Sequence, residues 1–198
     1  MHLIVGLGNF GQQYLTTRHN IGFMACDYWL KTLGDTGDYR TEHRALTRKI
    51  KIENTINKQM MEVLIAKPQT YMNRSGESVV ALLNFYKIDQ AKMIVVHDDI
   101  DQAFGAMKIH TNRGHGGQNG IKNISELLGT QDYNRLKLGV GRPADPRFDI
   151  GDYVLSGFSK AESPHLPQYL DTACDAVESF IFEGAEKAAT RFNGSINF

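Results

Sequence analysis

Met93-Ile94-Val95-Val96-His97-Asp98-Asp99-Ile100-Asp101 sets the architecture. Its first four residues are wholly apolar and too few for an ordinary helix. They predict a short strand covered on both faces, a central place in a sheet. The run then turns acidic at once. Open α/β sheets build their sites beyond the carboxyl ends of such strands. Consecutive residues of an extended chain point to opposite sides. His97, Asp98 and Asp99 therefore do not converge as a metal-ligand set, and no second histidine at helical spacing completes one.

Outward from this strand, extended and helical patterns interleave. Residues 3–7 read as another buried strand, ending at Gly8. Residues 45–53 alternate apolar and basic side chains and 60–66 form a further strand, a hairpin pattern. Residues 106–110 and 135–140 complete the strands. Helices are predicted over 20–33, with Ile21, Met24, Tyr28 and Leu33 on one stripe, and over 75–87, burying Val79, Leu82, Leu83 and Tyr86. Three more fall at 119–128, 165–182 and 185–192. This order predicts an α/β domain with a mixed, mostly parallel β-sheet. The 198 residues suit one domain over 1–198, and no repeat or linker divides them.

Hydrophobic residues make up 41% and charged residues 22%, an ordinary globular composition. The opening Met-His-Leu-Ile-Val-Gly is too short for a signal-peptide core, and no apolar run approaches the ~20 residues of a membrane span. Cys26 and Cys174 read as two buried thiols, in keeping with a reducing compartment. A cytoplasmic protein without a membrane association is expected. Net charge is zero, against a generic nucleic-acid binder. Yet residues 106–147 hold 7 Lys and Arg against 3 Asp and Glu, and residues 148–198 hold 3 against 8. A local basic region is thus available to phosphate, although scatter on a solvated surface gives the same count.

Gly6-Leu7-Gly8-Asn9-Phe10-Gly11 formally matches the dinucleotide fingerprint after a strand. The stretch that follows, Gln12 to Asn20, is polar and unlike the small-residue helix of that fold. No second strand ends in an acidic residue near Asp27, Asp35 or Asp38. No nucleotide cofactor is expected. His19, in Thr17-Arg18-His19-Asn20, is a cap or a surface residue in one reading and a base in the other. The carboxylates at the end of 93–96 favour the base. The glycine-dense loop Arg113-Gly114-His115-Gly116-Gly117-Gln118-Asn119-Gly120 opens onto a helix. It is either a mobile loop or a backbone that approaches an anionic ligand closely. It lacks the Gly-Lys-Ser/Thr ending of a nucleotide phosphate loop, and no G-x-S-x-G elbow exists. Hydrolysis here uses activated water.

Together these segments resemble the bacterial peptidyl-tRNA hydrolase family. The resemblance runs through Leu3 to Asn9, Tyr14, Thr17 to Gly22, Lys67-Pro68-Gln69-Thr70-Tyr71-Met72-Asn73-Arg74-Ser75-Gly76, His97 to Asp101, Gly114 to Gly120 and Arg135 to Gly141. It implies a single α/β domain with a twisted mixed sheet flanked by α-helices, usually monomeric. It implies hydrolysis of the ester between a peptide and the 3′-terminal ribose of tRNA, without a cofactor or metal. His19 takes the position of the general base and Asp98 that of the carboxylate holding it. Asn9, Asn73 and Asn119 match the asparagines lining the cleft, with Asn9 and Asn119 favoured near the reacting centre. Tyr14, Tyr71 and Met72 match residues near peptide and base.

Three positions depart from the family pattern. Phe10 replaces a proline, Gln118 replaces a common histidine, and His110 stands where a lysine is usual. That lysine, with the basic residue at Lys137, is expected to grip the 5′-phosphate of the acceptor stem. In this chain the grip falls to His110 with Lys137, or to Lys108 or Arg113. RNA binding without hydrolysis is the alternative function, and the presence of His19, Asp98 and all three asparagines speaks against it.

Overall fold

In the computed structural model, which describes residues 1–198, side-chain alternation along each strand decides which helices cover which face. On the central strands Ile4, Ile94, Val96, Leu136 and Leu138 face one way. Leu3, Val5, Met93 and Val95 face the other. Removing such side chains from water stabilises the fold by about 1.5–3 kcal/mol each.

The strands are β1 (His2–Gly6), β2 (Arg40–Glu42), β3 (Ala45–Glu53), β4 (Met60–Pro68), β5 (Met93–Asp99), β6 (Ala106–Thr111), β7 (Asn134–Gly139) and β8 (Gly194–Ser195). They form one sheet in the order β2-β3-β4-β1-β5-β7-β6-β8. The helices are α1 (Ile21–Thr32), α2 (Ser75–Tyr86), α3 (Asn119–Leu128), α4 (Ile150–Val154), α5 (Leu166–Glu183) and α6 (Ala185–Phe192). Helices α1, α5 and α6 pack on one face and α2 and α3 on the other. The expected central strand is central, and the expected hairpin is the antiparallel pair β3–β4.

The sheet is mixed, but it is not mostly parallel. Parallel pairing is confined to β4-β1-β5-β7. The pairs β2–β3, β3–β4, β6–β7 and β6–β8 are antiparallel, four pairings against three. The two short outer strands, with little hydrophobic signal, tip this balance. The stripe expected on α1 also shifts. Leu33 is exposed beyond the helix end, and Ile21, Ala25, Cys26, Trp29 and Leu30 make the buried face.

Because β1, β4, β5 and β7 are parallel, their carboxyl ends emerge on one edge. Beyond that edge run the segments carrying Asn9, Tyr71 to Asn73, Asp98 to Ile100 and Val140. No helix is long and apolar enough to cross a membrane.

Candidate active site

Gly6 and Gly8, the first two glycines of the motif that mimics a dinucleotide fingerprint, serve packing. A Cβ on Gly6 would lie 2.3 Å from the Gly22 carbonyl, and one on Gly22 would lie 2.3 Å from the Val96 carbonyl. Helix α1 therefore starts flush against the ends of β1 and β5. The 3-10 turn Arg18–Asn20 just before it puts His19 beside the carboxyl end of β5.

Both neighbours of His19 are tied down. The buried Arg18 guanidinium donates to the Glu162 carboxylate at 2.9 and 2.7 Å and to the Val140 carbonyl at 3.0 Å. It also lies over the Tyr153 ring, 4.6 Å from its centre. Asn20, wholly buried, mimics a strand partner for the Asn9 segment: its Nδ2 donates to the Asn9 carbonyl at 2.9 Å, and its Oδ1 accepts from the Asn9 amide at 2.8 Å.

Between them, His19 Nδ1 meets Asp98 Oδ2 at 2.7 Å. The imidazole is 13% exposed and the carboxylate 3%. Burial alone would lower the His19 pKa, but the charge and hydrogen bond of Asp98 outweigh it and leave it above the ordinary 6.5. Burial would likewise raise Asp98, yet His19 and then Gln118 hold it below the usual carboxylate value. With Nδ1 engaged, Nε2 is the nitrogen left for chemistry.

Asp98 Oδ1 accepts from Gln118 Nε2 at 3.1 Å. The same side chain caps α3, its Oε1 accepting from the Ile121 amide at 2.8 Å. On the other wall, Asn9 Oδ1 accepts from the Met72 amide at 2.9 Å, so the Asn9 Nδ2 donors remain for a ligand. These groups line a cavity of about 570 Å³, together with Tyr71, Asn73, Asn119, His115 to Gly117, Lys137 and the aliphatic side of α4. Gly116 and Gly117 take left-handed φ of 57° and 81°, which turns the loop toward α3.

The structure thus gathers Asn9, His19, Tyr71, Met72, Asn73, Asp98, Asn119 and Lys137 around one cavity. Tyr14, Lys108, His110 and Arg113 are not part of its lining. Tyr14 lies on the turn Gln12–Tyr14, with its carbonyl accepting from Thr17.

Behind the loop, β5, β6 and β7 show a cationic face. Cross-strand register sets Lys108 beside Lys137 and His110 beside Arg135. Lys137 pairs with Asp99, which points away from His19 as alternation requires. Arg135, 1% exposed, donates to the Gly114 carbonyl at 2.9 Å and to the Arg113 carbonyl. Burial first, then Lys137 and Arg135, pushes the half-buried His110 down to about 4. A contact of His110 with a phosphate would have to work against this depression, whereas Lys108 and Lys137 lie side by side on β6 and β7.

Arg18, Asn20 and Arg135 are positioning groups that the sequence reading did not single out, and Gln118 was noted there only as a departure from the family pattern. Arg135 and Lys137, two apart on a strand whose other face is Leu136 and Leu138, carried a usable signal. The partners of Arg18 and Asn20 come from distant segments and carried none.

The profile of the family described as Peptidyl-tRNA hydrolase matches residues 3–197. A peptidyl-tRNA hydrolase from Bdellovibrio bacteriovorus is 53% identical over 193 residues, covering 98% of this chain and 100% of the relative. One from Desulforamulus reducens is 44% identical, covering 98% of this chain and 89% of its own. A crystal structure of peptidyl-tRNA hydrolase from Acinetobacter baumannii superposes with a TM-score of 0.83 at 30% identity, over 98% of this chain and 95% of the other.

Proposed function

We propose that this chain, which belongs to the peptidyl-tRNA hydrolase family, cleaves its substrate with His19 as general base and Asp98 as the carboxylate that holds it. The protein is a hydrolase, and its reaction is hydrolysis of peptidyl-tRNA. The observation that supports the assignment of roles is the 2.7 Å contact between His19 Nδ1 and Asp98 Oδ2 in a cavity faced by three asparagine amides.

Water is a poor nucleophile near pH 7, and neutral His19 Nε2 accepts its proton as the oxygen attacks the ester carbonyl. Asp98 accepts the Nδ1 proton, fixes the tautomer and stabilises the imidazolium that forms. Amide donors of Asn9 and Asn119 face the negative charge that develops on the carbonyl oxygen. When the tetrahedral intermediate collapses, the ester bond to the ribose 3′ oxygen breaks. The imidazolium returns its proton to that oxygen, and the products are a peptide acid and free tRNA. Asn73, Tyr71 and Met72 hold the peptide and terminal base, and neutral amides tolerate varied peptide side chains. Lys137, released from Asp99, meets the 5′-phosphate of the acceptor stem, with Lys108 beside it. The protein acts as a monomer in the cytoplasm, where translation yields its substrate.

Incubating the purified protein with peptidyl-tRNA and following free tRNA tests this reading directly. Multiple turnovers are expected in the presence of EDTA. Tight binding of the tRNA without release of peptide would overturn it.

A further inference from the structure

Gln118 is buried with both ends of its amide in use. Oε1 accepts from Ile121 N at 2.8 Å, three residues into α3, and Nε2 lies 3.1 Å from Asp98 Oδ1 and 3.1 Å from Met72 Sδ. The orientation is chemically determined, because the Ile121 N–H requires an oxygen and the carboxylate requires a donor. A carboxylate that met only His19 could swing about its last torsion. Held by His19 on one oxygen and Gln118 on the other, Asp98 has one position. The helix end fixes the amide, and the amide fixes the carboxylate.

We infer that Gln118 is a positioning residue for the hydrolysis: it anchors Asp98 to the N-terminus of α3, so that Oδ2 stays aligned on His19. This rests on the reading of His19 as the base. It also gives meaning to a departure in the sequence, since an amide delivers a donor to Asp98 without adding a second titrating group. His97 packs against Asp98 from its own strand, with Nδ1 on the Asp98 carbonyl. His97 is held at about 4 by burial, and Lys137 is paired with Asp99.

Serine separates this role from simple helix capping. In Gln118→Ser the hydroxyl still caps α3, as serine does well, but it is too short to reach Asp98. The expected result is a fall in kcat on the order of tenfold, less than the ~10²-fold cost of losing the base, with KM within about twofold. The acid limb of kcat/KM should move to higher pH. With one donor fewer, the Asp98 carboxylate is more basic and holds the His19 proton more firmly. In an Asp98→Asn background the same substitution should add little, because the two residues act as a unit. Wild-type kcat and an unmoved acid limb in Gln118→Ser would overturn the inference. So would a lower kcat with an unmoved limb, which would mean that the amide acts elsewhere. Full activity in His19→Ala would instead remove the reading beneath it, so the two failures are distinguishable.

Discussion

Asp98 and Asp99 are neighbours at the end of β5, yet the two sides they face are built on opposite terms. On the Asp98 side the carboxylate has a donor on each oxygen, and His19, Gln118 and Ile121 complete a connected set. On the Asp99 side, His97 Nε2, His110 Nε2 and Arg135 Nε are buried without a partner. There Lys108, Lys137 and Arg135 outnumber the single acid that meets them. An unpaired buried polar atom costs about 1–3 kcal/mol. The first side is organised before any substrate arrives. The second holds cationic charge in reserve and drives its own histidines neutral. In the proposed reading, chemistry and anion binding share one strand end without sharing one titration.

Breaking the first side should have the largest effect. His19→Ala is expected to lower kcat by at least ~10²-fold with KM little changed. Turnover within a few-fold of wild type would remove His19 from the mechanism. Asp98→Asn should cost less but tell more. It offers the imidazole the wrong partner, and it deletes the charge that offsets burial. The residual activity should have its acid limb below 6.5, whereas the wild-type limb is expected above it. A limb that stays in place would show that Asp98 does not set the basicity of His19.

On the second side the effect should appear in binding. Lys137→Ala is expected to raise KM and to reduce the dependence of log affinity on log salt by roughly one unit, as the loss of one phosphate contact does. Asp99 keeps the Asp101 amide at 2.9 Å and Gln102 Nε2 at 3.0 Å, so the fold should survive. Removing the 5′-phosphate from the substrate should abolish the difference between variant and wild type. An equal KM penalty on both substrates would place Lys137 elsewhere on the tRNA.

The two sides also differ in how far they can be read from the chain. The fold was legible where patterns are strong. The run 93–96 marked the central strand, and helices 119–128 and 185–192 coincide with the observed elements. It was not legible at β2, β8 and α4, which span 3, 2 and 5 residues and owe their form to what they dock against. A strand-end carboxylate holding His19 could be anticipated from the residues, and the choice of Asp98 followed from the family resemblance. The state of His110 could not be anticipated, since its burial and the charges of Lys137 and Arg135 around it are tertiary facts. The family resemblance set His110 against a lysine, with Lys108 or Arg113 as the alternative contact, and the fold leaves His110 outside the cavity lining with its pKa pushed down.

That environment has a consequence for stability, the smallest of these effects. His110 sits at about 4 in the folded protein against an ordinary 6.5, with burial as the largest cause and Lys137 and Arg135 next. Between those values the unfolded chain holds the proton and the folded one does not. The unfolded state is therefore favoured as pH falls through 6.5 toward 4. Glutamine does not titrate, so His110→Gln should lose less stability than wild type between pH 7 and pH 5. Solvent screening of a half-buried ring brings the expected difference to about 1 kcal/mol. Urea midpoints at the two pH values measure it directly. From pH 6 to 8 the same variant should leave the ratio of KM for phosphorylated and dephosphorylated substrates unchanged, since a neutral ring contributes no charge to either. A ratio that varies with pH in wild type and flattens in His110→Gln would return His110 to the phosphate and reverse the contrast between the two sides.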